Sequence, residues 1–138
     1  MASLIYTSAL FDAAKGAIDF DTDTFKLMLL SASYTPDKET HTKRSDLTNE
    51  VAGAGYAAGG EAATVTVTKD TVNHRVDISL GGHVWSAATI TARYGAYYKA
   101  RGGAASADEL VALIDFGGNI TSTAGDFTVT ASTLRLQN

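Results

Sequence analysis

Apolar and polar positions alternate through much of the second half of the chain, in short runs of Thr, Val, Ile, Tyr and Phe separated by Gly, Asn and Asp. Such alternation marks half-buried strands, and its repetition predicts an all-β fold of sandwich or barrel type. In residues 64–72, Val65 and Val67 share one face and Thr64, Thr66 and Thr68 the other. Val76, Ile78 and Leu80 repeat the alternation after a turn at Asn73 and His74, so the pair reads as a hairpin. Gly81 and Gly82 break the run. Residues 84–98 then hold one or two strands, with Ile90, Ala92 and Tyr94 in register. Residues 110–116 are apolar on both faces, Asp115 excepted, which predicts a central strand closed by Gly117 and Gly118. Near the end, Phe127, Val129 and Ala131 share one parity and Leu134 and Leu136 the other. A parity change flips the buried face, so a bulge or break is expected near Ser132 and Thr133.

The first half carries fewer strands. Phe25 to Leu30 is apolar on both faces and reads as a strand. Ahead of it, Ala9 to Lys15 suits a short helix, with Ser8 as N-cap and Gly16 as the stop. Residues 31–61 form a long polar and glycine-rich stretch holding Pro36, the one proline. A loop of that length is usually functional or mobile, which makes it the first place to seek an interface. Ser106 and Glu109 spell a capping box ahead of an apolar run. Val111, Ile114 and Phe116 nevertheless favour a loop followed by a strand. The expected fold is a single-domain antiparallel β-sandwich, jelly-roll-like or Ig-like, over residues 1–138.

Composition narrows the function classes. A chain of 138 residues with 45% hydrophobic and 19% charged residues is an ordinary globular domain. At that length folding hides roughly two thirds of the unfolded chain's surface, enough for a core without staples. Zero cysteines remove thiol nucleophiles and zinc-thiolate sites. Met1 to Phe11 lacks the pattern of a signal peptide, and no stretch approaches the roughly 20 apolar residues that span a bilayer, so no membrane partner and a soluble cytoplasmic product are expected. A net charge of -4 with scattered basic residues disfavours nucleic acid. Lys38, Lys43 and Arg44 interleave with Asp37, Glu39 and Asp46, which reads as a solvated mixed-charge loop.

Motifs for catalysis or cofactors fail at named positions. His41, His74 and His83 stand far apart without metal-ligand spacing. Asp19, Asp21 and Asp23 imitate the start of a calcium loop, but Thr24 and Leu30 occupy the places of its Gly and Glu, leaving weak cation binding as the most such a turn would do. The glycines at 53, 55, 59 and 60 miss the dinucleotide spacing at Ala58 and read as a flexible loop. No serine lies in a nucleophile elbow. The expectation is therefore a protein without a catalytic site or cofactor. Its interface candidates are Tyr34, Pro36, Asn49, Tyr56, Trp85 and Tyr97. Tyr34 and Tyr56 lead, because large side chains among Ala and Gly have little local core to join. Trp85, Tyr94, Tyr97 and Tyr98 suit core packing or a partner surface.

Several segments, taken in order, resemble small structural proteins of tailed bacteriophages. Residues 25–60 carry F-K-x-M-L-L, S-Y-T-P-D, D-x-T-N-E-V and G-x-G-Y-x-x-G-G. Residues 85–94 carry W-x-x-A-T-I-T-A-R-Y, and residues 114–130 carry I-x-F-G and A-G-x-F-T-V. The resemblance covers most of the chain from residue 25 onward and implies a virion component made in the host cytoplasm. The leading role it implies is capsid decoration, or cementing, with the major capsid protein or other virion subunits as partners and a homo-oligomer, dimer or trimer, on the particle. On that reading the long loop and N-terminal segment reach across the shell. A neck, tail or fibre-base adaptor is the alternative. A carbohydrate-binding sandwich is a second; it would need two or three aromatics on one exposed face, and Tyr94, Tyr97 and Tyr98 only partly qualify because adjacent strand positions point to opposite faces.

Overall fold

The computed structural model describes residues 3–138, so the first two residues of the Met1–Phe11 stretch lie outside it. The fold is all-β with one short helix. In chain order it runs β1 (Leu4–Ile5), α1 (Thr7–Ala14), β2 (Phe25–Leu30), β3 (Glu61–Ala63), β4 (Val65–Asp70), β5 (Arg75–Leu80), β6 (His83–Lys99), β7 (Leu110–Val129) and β8 (Ser132–Gln137), with 3-10 turns at Arg44–Asp46 and Ala105–Ala107. Two antiparallel sheets form, a five-stranded one in the order β1-β7-β6-β2-β3 and a three-stranded one in the order β4-β5-β8.

The doubly apolar strands explain the layering. Alternate residues of a strand face opposite sides of its sheet. Leu27 and Leu29 of β2 join Trp85, Ile90, Tyr97, Val111 and Phe127 in a core against Ile78, Leu80 and Leu134 of the smaller sheet. Met28 and Leu30 point the other way, into a second core with Tyr6, Tyr34, Leu47, Tyr94, Tyr98, Leu110 and Leu113. The long loop itself covers that second face. Backbone bonds from Ser31 to the Asn49 carbonyl, Val51 to Leu29, Arg44 to Asp108 and Leu110 to Thr42 lay it along the sheet. The domain thus has three layers, with the five-stranded sheet in the middle, and Tyr34 and Leu47 pack the first part of the long loop onto it.

Three local expectations need correction. The helix starts at Thr7 with Tyr6 as its N-cap and no side-chain cap, because the Tyr6 N–H is held by the Val111 carbonyl as β1 ends. Ser8 consequently lies inside the first turn, and its hydroxyl is buried without a hydrogen-bond partner. Gly16, at φ +84, follows the C-cap Lys15 in the left-handed conformation that ends helices. Second, Gly117 and Gly118 do not close a strand. Tyr94 pairs with Asp115 and Ala92 with Ile120, so the one residue Arg93 stands opposite Phe116, Gly117, Gly118 and Asn119 while β7 continues to Val129. Third, the glycines of residues 53–60 make close contacts. A Cβ on Gly53 would meet the Thr89 carbonyl oxygen at 2.1 Å. The expected break near Ser132 is present, since β7 ends at Val129 in one sheet and β8 begins at Ser132 in the other.

The β6–β7 ribbon shifts register on both sides of Ala88, and the bends leave Ala87 at φ 49 and Ala124 at φ 47. The left-handed region costs an L-residue with a Cβ about 1–2 kcal/mol, and both alanines are exposed. Ala87→Gly is therefore expected to stabilise the domain by up to about 1 kcal/mol, after the extra freedom glycine gives the unfolded chain. Urea unfolding should show a higher midpoint at unchanged slope. A lower midpoint would mean the methyl group makes contacts worth more than the strain.

Candidate interaction surface

The structure scatters the six sequence candidates rather than gathering them. Tyr34, Trp85 and Tyr97 are buried, at 2%, 2% and 0% exposure. Tyr56 and Pro36 are half-buried, and Asn49 alone is exposed, at φ 61 where the loop turns back toward β2. Tyr34, Trp85 and Tyr97 are thus corrected from contact surface to core. Tyr34 has no local core to join, but distant elements supply one. Its ring meets Tyr94 edge-on at 5.9 Å, and its hydroxyl lies 2.9 Å from the Tyr6 hydroxyl and 2.7 Å from His41 Nδ1. Burial pushes the phenols of Tyr6 and Tyr34 upward in pKa, so both hold their protons across the physiological range.

Tyr56 performs the same anchoring for the glycine-rich segment. Its hydroxyl donates to Glu50 Oε2 at 2.6 Å and accepts the Leu29 N–H at 3.0 Å, while the Gly59 N–H donates to the same Glu50 oxygen. Trp85 lies among His83, Tyr56 and Phe127 on the inner face of β6. Tyr97 donates to the Gly81 carbonyl at 2.9 Å, and burial pushes its phenol up to about 12. Tyr94, Tyr97 and Tyr98 are all buried, so the aromatic platform a sugar would stack on is not formed by them. Tyr34→Phe should cost about 1–3 kcal/mol, because it strips the buried Tyr6 hydroxyl of its partner. Faster amide exchange confined to residues 31–50 would check it, and unchanged exchange would show that the hydroxyl does not hold the loop.

The charged loop is less solvated than its composition suggests. Arg44 pairs with buried Asp108 at 2.7 Å, and Lys43 and Arg101 converge on buried Glu109 at 3.6 and 2.7 Å. The Arg101 hydrogen bond holds the Glu109 carboxyl well below the carboxylate range, at about 2. A polar cleft of about 330 Å³ beside this network is lined by Lys26, Arg44, Glu50, Tyr98 and Asp108 among others. Of these, Glu50 is bonded to Tyr56 and Gly59, and Asp108 to Arg44 and the Arg101 N–H. In the acidic turn, Asp23 pairs with Lys99 at 2.8 Å and Asp19 accepts the Asp21 N–H. Among the described residues no group of three or more His, Asp or Glu side chains is placed to share a metal ion.

The apolar surface that remains open was not singled out by sequence. Leu10, Ala13 and Ala14 of α1, Phe20, and Ile78, Leu134 and Leu136 of the smaller sheet line a groove of about 350 Å³. Leu10 is 48% exposed and Leu136 50%, and Phe11 beside Leu10 is 64% exposed. Val67, Ile78 and Leu134 form one cross-strand row, and Lys69, Val76 and Leu136 the next. Leu136 also lines a second, wider cleft with Lys69, His74 and Val76. The inner face of the small sheet therefore runs on past the core into solvent. Such a patch makes this rim the candidate contact surface. No protein-family model, no curated protein and no solved structure matches the chain.

Proposed function

We propose that this chain is a structural protein of a tailed-bacteriophage particle that decorates and cements the assembled head. The observation that carries the reading is the ordered series of segments resembling such proteins. Those segments are also the ones that build the slab. F-K-x-M-L-L is β2, S-Y-T-P-D brings in buried Tyr34, and G-x-G-Y-x-x-G-G sets Tyr56 and Gly60 against that strand. The shared residues specify a rigid three-layer block, while its solvent face is left to fit a particular shell. The earlier expectation that the long loop reaches across the shell gives way to one in which the packed block docks as a unit. A protein that binds only the assembled shell opposes disassembly by mass action, and many copies multiply weak contacts.

The test is stoichiometry. Purified protein titrated onto heads lacking it should saturate at hundreds of copies per particle and raise the temperature at which DNA is released. Saturation at about a dozen copies or fewer would sink decoration and favour a neck, tail or fibre-base position, where symmetry sets such numbers. Absence of binding to any virion part would remove the phage reading.

A further inference from the structure

We infer that the outer edge of β8 and the adjoining apolar groove form a twofold interface with a second copy of this chain, the two β8 strands pairing antiparallel to join the three-stranded sheets. The first observation is the edge itself. β8 ends the order β4-β5-β8, and among the described residues no strand pairs with its outer side. Natural edge strands are blunted by shortness, by charged side chains and especially Lys, by Pro, by bulges or by a covering segment. β4 carries Lys69, the long edge of β7 carries Gly117, Gly118 and Gly125 with shifted register, and β3 has three residues. β8, with the sequence STLRLQ, has no Lys, Pro or bulge. Its one charge, Arg135, is already paired with Asp77 at 2.7 Å.

The second observation is the apolar surface at that same edge. A stable dimer hides about 800 Å² per partner, near a tenth of the 6948 Å² this molecule exposes. One short strand pair falls short of that alone. Leu136 on the open strand, with Leu10 and Phe20 around the groove it lines, adds apolar surface beside that edge. Register follows from side-chain parity. Leu134 is buried on the inner face and Arg135 lies outside, so only pairings that match parity keep apolar with apolar. A dyad on Arg135 sets two arginines directly opposite, which is unfavourable. A dyad on Leu134 sets Leu134 against its mate, Leu136 against Ser132 and Arg135 against Thr133, with no like charges facing.

Sedimentation of the purified chain at roughly 100 µM should give twice the 14.4 kDa monomer mass, with a dissociation constant in the micromolar range expected of such an interface. Leu136→Lys and Leu10→Ser alter half-exposed side chains that line the groove, so both should fold, as circular dichroism would verify, and each should weaken dimerisation at least tenfold. Val72→Lys, at the 84% exposed tip of the β4–β5 hairpin, should change nothing. Amides of residues 132–137 should exchange more slowly as concentration rises. A monomer at that concentration, a trimer, or a dimer indifferent to Leu136→Lys would each overturn the proposal. The readout uses the protein alone, so it stands or falls separately from binding to heads.

Discussion

Gly60→Ala is expected to remove more than about 3 kcal/mol of stability, a large share of the roughly 5–15 kcal/mol that holds a domain folded. A Cβ at this position would stand 1.9 Å from the Leu27 carbonyl oxygen and 2.7 Å from the Met28 Cα. Both are backbone atoms of β2, in the middle sheet, where close packing on each side leaves no room to retreat. Gly60 also sits at φ +76, and Gly102 at φ +81 has open space around it. Gly102→Ala therefore serves as the control, carrying the conformational cost of about 1 kcal/mol without the clash. Denaturant midpoints of the two variants should differ by more than 2 kcal/mol when converted through the slope. Equal losses would show that the loop shifts to admit the methyl group and that the third layer is softer than its contacts suggest.

The same glycine shows where sequence reading reaches and where it stops. Strand β2 announces itself, because Leu27 and Leu29 on one face and Met28 and Leu30 on the other require cover on both sides. The parity change between Val129 and Leu134 likewise announces the passage from one sheet to the other. What covers the second face of β2 is not written nearby. Tyr34 sits among Ser, Ala and Thr, and the residues that bury it, Tyr6, Leu47 and Tyr94, arrive from three separate parts of the chain. Glycines are ambiguous for a related reason. A glycine admits both flexibility and close approach, and the presence of the Leu27 or Thr89 backbone decides which, so the cluster at residues 53–60 reads as a flexible loop until the partner strand is seen.

The interaction surface was legible in part. Leu10 and Phe11 are adjacent on an eight-residue helix whose buried residues are Ala9 and Asp12, and helical periodicity turns both away from that face. The sequence shows the two large apolar residues but not which face is covered, so the rim becomes legible only with the fold. The aromatic residues drew attention instead because size alone suits a core and an interface equally well. The charged loop misled for the opposite reason. Lys43 and Arg44 are balanced locally by Asp46, yet their strongest partners, Asp108 and Glu109, lie in the turn before β7.

Those distant partners carry the second large effect, and it depends on pH. Glu109 is 3% exposed and receives two hydrogen bonds from Arg101, at 2.8 and 2.7 Å, with Lys43 nearby. Its folded pKa, at about 2, lies below the ordinary value of 4.5. The native state therefore favours the deprotonated form, and the contribution to stability is fully present above pH 4.5 and lost as pH falls from there toward 2. Glu109→Gln keeps the shape and removes the charge. At pH 7 it should cost about 2 kcal/mol, less than the 3–5 kcal/mol of a wholly buried pair because water reaches Arg101 and recovers part of its solvation. Lowering the pH should close the gap, since protonation of Glu109 makes the native protein resemble the variant. Parallel urea titrations of both proteins at pH 7, 4.5, 3 and 2 measure this directly. Carboxylates elsewhere shift both curves alike, so the difference isolates Glu109. A gap that stays constant down to pH 2 would mean the ionisation of Glu109 contributes nothing to stability, and that Arg44 with Asp108 is what clasps the long loop to the start of β7.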